Sequence, residues 1–355
     1  MLPVHCHHRV HIASQADLVT ARAVMTELIA DADLDEEDLG RVRIIVAELA
    51  TNLLRHAGGG VLLLRRQLAA DASGRALVGA NGVECLALDR GPGIADLEVA
   101  LAGRRNLNAF PGQGQGQGLG HGLGAVRRLS DRFDIHSEPG LGTAVMAQVQ
   151  GRGSQALPMS LVTFPFGVGA TMLPMTGCSA CGDGWAARPD GLVLVVDGLG
   201  HGDAASAAAR CVESVFSTVP ADQDLQAILA AIHSALRGTR GAAVMVLRLG
   251  ATTVEVSAIG NIAGKVLSRA GAIPLGSRWG IVGYNAAPPP SACVPWHPGD
   301  LVILHSDGCV RLTDLVDERH LRHVDPTLAA AVLLRDCTVR VDDQTIMVLA
   351  NRRPA

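Results

Sequence analysis

The chain has 355 residues, 48% of them hydrophobic and only 3% aromatic, with a formal charge of −4. Such a length suits about two domains with cores built from Val, Leu, Ile and Ala, and a pI near 6.3 without a basic, aromatic-interleaved face argues against nucleic acid as a partner. No apolar run approaches the ~18–20 residues of a membrane span, no signal-peptide core opens the chain, and eight scattered cysteines read as reduced thiols, so a soluble cytoplasmic protein is expected.

The first predicted element is a strand over 4–12, in which Val4, Cys6, His8, Val10 and Ile12 alternate with His5, His7, Arg9 and His11. The HCHH run is thus strand periodicity rather than a metal site. A helix over 15–30 follows Ser14. The acidic run from Asp31 to Asp38 then makes a loop and a first helical turn, where carboxylates complement the helix dipole. Within the helix over 36–57, Leu39, Val42, Ile45, Val46, Leu49 and Leu53 form one buried face, and a glycine run stops it. Glu48 and Asn52 lie four apart on that helix, so a carboxylate and a carboxamide project together from one side. Strands near 60–68 and 82–89 come next, the second ending in Asp89 before the turn residues Gly91, Pro92 and Gly93. Seven glycines lie in the thirteen residues from Gly112 to Gly124 and run into a helix over 119–131, a pattern that crowds backbone N–H groups around an anion. Strands over 132–138 and 142–149 complete this half as a mixed sheet with helices on one face.

After GRGSQALP, whose small and polar residues read as a linker, the chemistry changes. Asp183 precedes one strand-like stretch, and Asp197 ends the apolar run from Leu192 to Val196. Asp307 follows the apolar strand Leu301 to Leu304, and Asp342 and Asp343 stand before the last strand. Carboxylates gathered at strand termini suit hard, oxygen-seeking cations. Helices over 203–217 and 223–237 and strands over 242–249, 252–259 and 262–268 imply two sheets flanked by helices. Cys178 and Cys181 lack a second ligand pair at zinc spacing, and His201 reads as a turn residue.

Taken in order, ELATNLLRHAG, LDRGPGI, GLGHGLGAVRRLSD and GLGT make the first half resemble the GHKL ATPase/kinase superfamily, and within it the RsbT-type serine kinases. The order G-D-G, D-G-x-G-H-G, S-D-G and D-D-x-T makes the second half resemble the SpoIIE branch of the metal-dependent type 2C serine/threonine phosphatases, in a short RsbX-like form. The fold class implied is α+β: an N-terminal Bergerat (GHKL) ATP-binding α/β sandwich followed by a type 2C phosphatase αββα sandwich. The domains implied are 1–150, a linker at 151–157, and 158–355.

The first resemblance makes Glu48 the base toward an acceptor hydroxyl, Asn52 a Mg²⁺ ligand and Asp89 the adenine reader. It places Gly91 and Gly93 along the purine, Gly118, Gly120, His121, Gly122 and Leu123 around the phosphates, and Thr143 at the pocket's edge. Residues 95–117 become a lid, longer than the family's compact form and carrying Arg104 and Arg105, here read as solvated loop charges. The second resemblance assigns two Mn²⁺ or Mg²⁺ ions to Asp183, Asp197, the Gly198 carbonyl, Asp307 and Asp342, with Asp343 as an orienting neighbour. Asp183, Asp197, Asp307 and Asp342, with Glu48, are the expected catalytic groups. Together they imply a bifunctional partner-switching regulator that uses ATP and Mg²⁺ to phosphorylate a STAS-domain antagonist (RsbS-like), and then dephosphorylates it. The alternatives are a phosphoserine phosphatase whose first half senses ATP or binds a sigma factor as an anti-sigma module, and a docking switch with both sites vestigial. Whether the chain forms a homodimer stays open.

Overall fold

A computed structural model describes residues 6–30, 32, 34–70, 76–102, 122–151, 166–285, 287–310, 312–339 and 341–351. The chain divides into two compact units, one of His8–Ala69 with Val78–Pro158, the other of Met1–His7, Ala70–Leu77 and Met159–Ala355. Residues 152–157 of the expected linker, the glycines Gly118 and Gly120, His121, and Arg104 and Arg105 of the lid lie outside the described residues, as does most of the Gly-Gln stretch.

The first unit runs β1 (His8–Ile12), α1 (Gln15–Ile29), α2 (Glu36–His56), β2 (Gly60–Ala70), β3 (Ala76–Leu88), α3 (Leu97–Ala102), α4 (Gly122–Leu129), β4 (Arg132–Glu138) and β5 (Gly142–Gln150). The strand expected from residue 4 begins at His8, because the His7 amide donates instead to the Met172 carbonyl at 2.8 Å within the second unit. The sheet has the order β1-β2-β3-β5-β4. Pairs β1/β2, β3/β5 and β4/β5 are antiparallel, so in these pairs the mixed sheet expected from sequence is not seen. Ser14 opens α1 with its amide donating to the Asp17 carboxylate at 2.7 Å. Asp35 caps α2, accepting from the Asp38 amide at 2.7 Å, and Arg55 and His56 sit in the last turn where cations suit the dipole. Of the face predicted for α2, Val42, Ile45, Val46, Leu49 and Leu53 are buried while Leu39, in the first turn, is half-buried, and Leu62, Leu64, Leu86 and Met146 of the sheet are buried in the same unit.

The second unit contains β6 (Gly167–Leu173), β7 (Asp183–Ala187), β8 (Leu192–Gly198), α5 (Asp203–Thr218), α6 (Leu225–Ala235), β9 (Ala242–Leu249), β10 (Thr253–Ile259), β11 (Ala263–Ser268), β12 (Gly271–Leu275), β13 (Ala292–Pro295) and β14 (Leu301–His305). It closes with β15 (Cys309–Val310), α7 (Leu312–Glu318), a 3₁₀ turn, α8 (Pro326–Asp336), β16 (Thr338–Val339) and β17 (Gln344–Ala350). Two five-stranded sheets form, ordered β13-β10-β9-β8-β7 and β12-β11-β14-β17-β6. One cluster joins their inner faces, with Val195, Met245 and Val256 from the first sheet meeting Val266, Leu304 and Met347 from the second. The outer face of the first sheet is covered by α5 and α6, where Leu194, Val196 and Val244 pack with Phe216, Ile228 and Ile232. The other outer face receives α8, whose residues from Pro326 to Leu334 are all buried and whose first turn presses on Gly169. Helix, sheet, sheet and helix thus form the four layers expected.

Candidate functional sites

In the first unit the site is assembled on α2. Glu48 and Asn52 are half-buried and project toward the start of α4. A Cβ at Gly122 would stand 3.0 Å from Glu48 Oε2 and 3.3 Å from Asn52 Oδ1, so the backbone at Gly122 passes directly over both side chains. The Asn52 side-chain nitrogen is buried without a hydrogen-bond partner. Such an orphan costs free energy unless a ligand satisfies it, so this pocket suits a polar, oxygen-rich group.

Asp89, at the end of β3, is fixed by the backbone. Its Oδ1 accepts from the Gly91 amide at 2.8 Å and from the Thr143 amide at 3.0 Å. Thr143 is buried, with its hydroxyl 2.8 Å from that of Ser137, and Ser137 also accepts from the Ile94 amide at 2.8 Å. Gly91 lies against Ala57 at the end of α2, Gly93 against the Glu138 carbonyl, and Gly142 against the Asp89 carbonyl. Gly142 has φ +98°, and a side chain there would strike the Asp89 backbone, which explains glycine in the G-L-G-T segment. Leu123 follows Gly122 in the first turn of α4. The described part of the lid is α3, which packs on α4 with the Leu101 carbonyl against Gly124. Asp89, Gly91, Gly93 and Thr143 therefore form one cluster, while Glu48, Asn52, Gly122 and Leu123 form another along α2 and α4.

In the second unit, strand pairing gathers the acids. Asp183 and Asp197 are register partners on β7 and β8. Because β14 and β17 are antiparallel, with His305 opposite Ile346, the turn after β14 carrying Asp307 lies beside Asp342 and Asp343 before β17. Asp343 ties the two sheets together, its oxygens accepting from the Met175 and Gly182 amides, both at 2.7 Å. Gly308 lies against the Asp343 carbonyl, and Gly198 donates its amide to the Gly182 carbonyl at 2.9 Å.

The electrostatics follow from this crowding. Burial, then repulsion from Asp343 and Asp342, pushes the Asp183 carboxyl up to about 7, although the Ser306 and Thr345 hydroxyls ease its ionisation. Those hydroxyls make no full hydrogen bond to Asp183 Oδ2, which is buried and orphaned. Asp197 is pushed up to about 8, again by burial first and then by Asp183, Asp307, Asp342 and Asp343. Asp343 is raised mainly by burial. As the side chains stand, no three acids among the described residues converge tightly enough to grip one ion. The mutual repulsion and the orphaned oxygen still define a donor set that divalent, oxygen-seeking cations fit.

Some contributors were not picked out in the sequence. Asn261, after β10, donates to Asp307 Oδ2 at 2.8 Å. Ser306 accepts from the Thr345 amide at 3.0 Å, which locks the β14 and β17 ends together. A G-N pair following an apolar strand was the only signal for Asn261. His201 is exposed, with Nδ1 3.9 Å from Cys178 Sγ, and Cys181 is buried against the Leu173 carbonyl.

A nucleotide-type α/β sandwich and a two-sheet, metal-type phosphatase sandwich thus stand on one chain, each with its acids at strand or helix positions that the fold brings together. The comparisons agree. The histidine kinase-like ATPase domain model matches residues 12–149, and the stage II sporulation protein E model matches residues 190–349. The serine/threonine-protein kinase RsbT of Bacillus subtilis is 31% identical over 138 residues, covering 39% of this chain and 92% of that protein. The chain belongs to the RsbT-type family of histidine kinase-like ATPase domains, fused here to a SpoIIE-type phosphatase domain. Among solved structures, one described as the bacterial stressosome has 31% identity and a TM-score of 0.46 over 52% of this chain and 98% of its own. RsbX in complex with magnesium has 22% identity and a TM-score of 0.45 over 51% and 92%. No helix of the described residues is long and apolar enough to cross a membrane.

Proposed function

We propose that the chain is a bifunctional partner-switching regulator with domains at 1–150 and 158–355 joined by 151–157. The first phosphorylates a serine or threonine on a STAS-domain antagonist, and the second removes that phosphate. The observation that carries this reading is the presence on one chain of two sets of polar groups, Glu48 and Asn52 under Gly122 with Asp89 at a strand end, and four strand-end aspartates of the second unit. Loss of the phosphatase activity would leave no reason to keep Asp183 buried beside Asp197, Asp342 and Asp343, since such burial costs stability.

In the kinase half, Glu48 would accept the proton of an acceptor hydroxyl, Asn52 would complete a Mg²⁺ shell, and Asp89 would take a hydrogen bond from an adenine amino group. Gly118, Gly120, His121, Gly122 and Leu123 would supply backbone around the phosphates of ATP, whose transfer needs mainly positioning and charge neutralisation. In the phosphatase half, Asp183, Asp197, the Gly198 carbonyl, Asp307 and Asp342 would hold two Mn²⁺ or Mg²⁺ ions. Such ions supply charge stabilisation at a phosphoester and lower the pKa of water. Asp343 holds the Gly182 and Met175 backbone in register, and Asn261 orients Asp307.

The test is transfer of labelled γ-phosphate from ATP–Mg²⁺ to a STAS protein, then loss of label on adding Mn²⁺. Asp89→Asn is expected to abolish labelling, and Asp307→Asn to preserve label that the wild type removes. Labelling by no variant, with dephosphorylation intact, would leave a phosphatase governed by a nucleotide-sensing domain.

A further inference from the structure

The loop between β12 and β13 has no role in the chemistry above. The chain has three tryptophans and one tyrosine. Trp296 is fully buried and its indole N–H donates to the Gly250 carbonyl at 2.8 Å, whereas Trp279 is 93% exposed and Tyr284 73% exposed, both on this loop. In a chain so poor in aromatics, leaving two of them in water at one place forgoes substantial burial.

The loop is anchored beside the acids. The Arg278 amide donates to the Ala258 carbonyl and the Gly260 amide to the Arg278 carbonyl, both at 2.9 Å, and the Ser277 hydroxyl donates to the Gly260 carbonyl at 2.8 Å. Gly260 immediately precedes Asn261, the donor to Asp307. On the other side, Val282 and Ala242 exchange backbone hydrogen bonds at 3.2 and 2.9 Å, and Ala242 is the register partner of Gly198. Trp279 therefore stands between two anchors, one next to Asn261, which donates to Asp307, the other paired with Gly198, which follows Asp197. Arg278 and Arg240 are exposed and make no ion pair among the described residues. Arg240 Nη1 comes within 3.1 Å of where a Cβ on Gly200 would lie, over the turn that follows Asp197 and Gly198 and that also exposes Leu199.

We propose that Arg240, Arg278, Trp279, Tyr284 and Leu199 form a docking rim for the polypeptide around the phosphorylated residue, selecting phosphoserine segments with acidic and apolar flanks. The inference rests on the phosphatase reading and deepens it. Charge complementarity carries the choice of occupant: unpaired guanidiniums recognise carboxylates by paired, directional hydrogen bonds, and a lysine-rich flank would meet like charge. An exposed tryptophan beside them supplies the large apolar contact that dominates protein docking. A small phosphate ester would reach the acids without touching the rim.

The test uses the full chain with Mn²⁺, p-nitrophenyl phosphate, and two phosphoserine peptides, one flanked by Asp and Leu, the other by Lys. Wild type is expected to prefer the acidic peptide about tenfold in kcat/KM, and Trp279→Ala or Arg278→Ala to raise that peptide's KM about fivefold or more relative to p-nitrophenyl phosphate, with Trp279→Phe restoring most of it. Arg278→Glu should reverse the flank preference. The acidic peptide should also protect Trp279 from iodide quenching, with Trp279→Phe as the control. No preference in the wild type, or equal losses on all three substrates, would overturn the rim. Protection of Trp279 without hydrolysis of any substrate would keep the rim and overturn the phosphatase reading.

Discussion

Glu213 on α5 shows how a single side chain sets a pH dependence away from the acids at the centre. Burial beside β7 pushes its carboxyl up to about 7, against a hydrogen bond from the Trp185 amide and attraction from Arg210. An acid whose folded pKa is raised favours the folded state below its unfolded pKa, and that contribution is lost as pH rises through the folded value. Glu213→Gln should therefore leave stability unchanged near pH 4 and raise it by about 1–3 kcal/mol near pH 8, read from denaturant midpoints at the two pH values. The position of Asp183, Asp197, Asp307 and Asp342 at or beside strand ends was legible from the apolar runs that flank them. Their mutual repulsion and the Asn261 contact were not legible, because both depend on strands far apart in the chain becoming neighbours.

Among the elements, α2 carries Glu48 and Asn52 and is held by one buried guanidinium. Arg41 Nε donates to the Leu129 carbonyl at 2.8 Å, Nη1 pairs with Asp38 at 2.8 Å, and Nη2 pairs with Asp131 at 2.7 Å, so one side chain ties α2 to the end of α4 and the start of β4. Removing one partner of a buried charge network leaves the others uncompensated. Arg41→Ala is expected to cost about 3–5 kcal/mol in chemical denaturation and to weaken ATP binding, because α4 carries Gly122 over Glu48 and Asn52. Asp35→Ala, which removes the α2 cap, should cost only about 1 kcal/mol. The helix itself was plain from its apolar period. Helix α4 was expected over 119–131; residues 119–121 lie outside the described ones, and over Gly122–Leu129 the helix is present, with its first glycine meeting Glu48 and Asn52.

For the whole molecule, the proposed function gives each unit its own ligand, and ligand binding to the folded state raises stability by mass action. Calorimetry of the full chain is expected to show one transition shifted upward by ATP–Mg²⁺ and another by Mn²⁺, each by about 2.7 kcal/mol at a hundredfold excess over Kd. Asp89→Asn should cancel only the first shift and Asp307→Asn only the second; a single shift lost in both variants would contradict separate sites. The sequence by itself determined the two-part plan, the order of the motifs, the buried face of α2 and the strand-end position of every acid, because period and turn chemistry are local. Only the tertiary structure decided that Gly122 covers Glu48 and Asn52, that Asp183 faces Asp197 across a strand pair, and that Asp343 bonds to Gly182 and Met175. Strand register and the packing of elements distant in the chain set those contacts, as with Asp343 and Gly182, 161 residues apart, which no local pattern encodes.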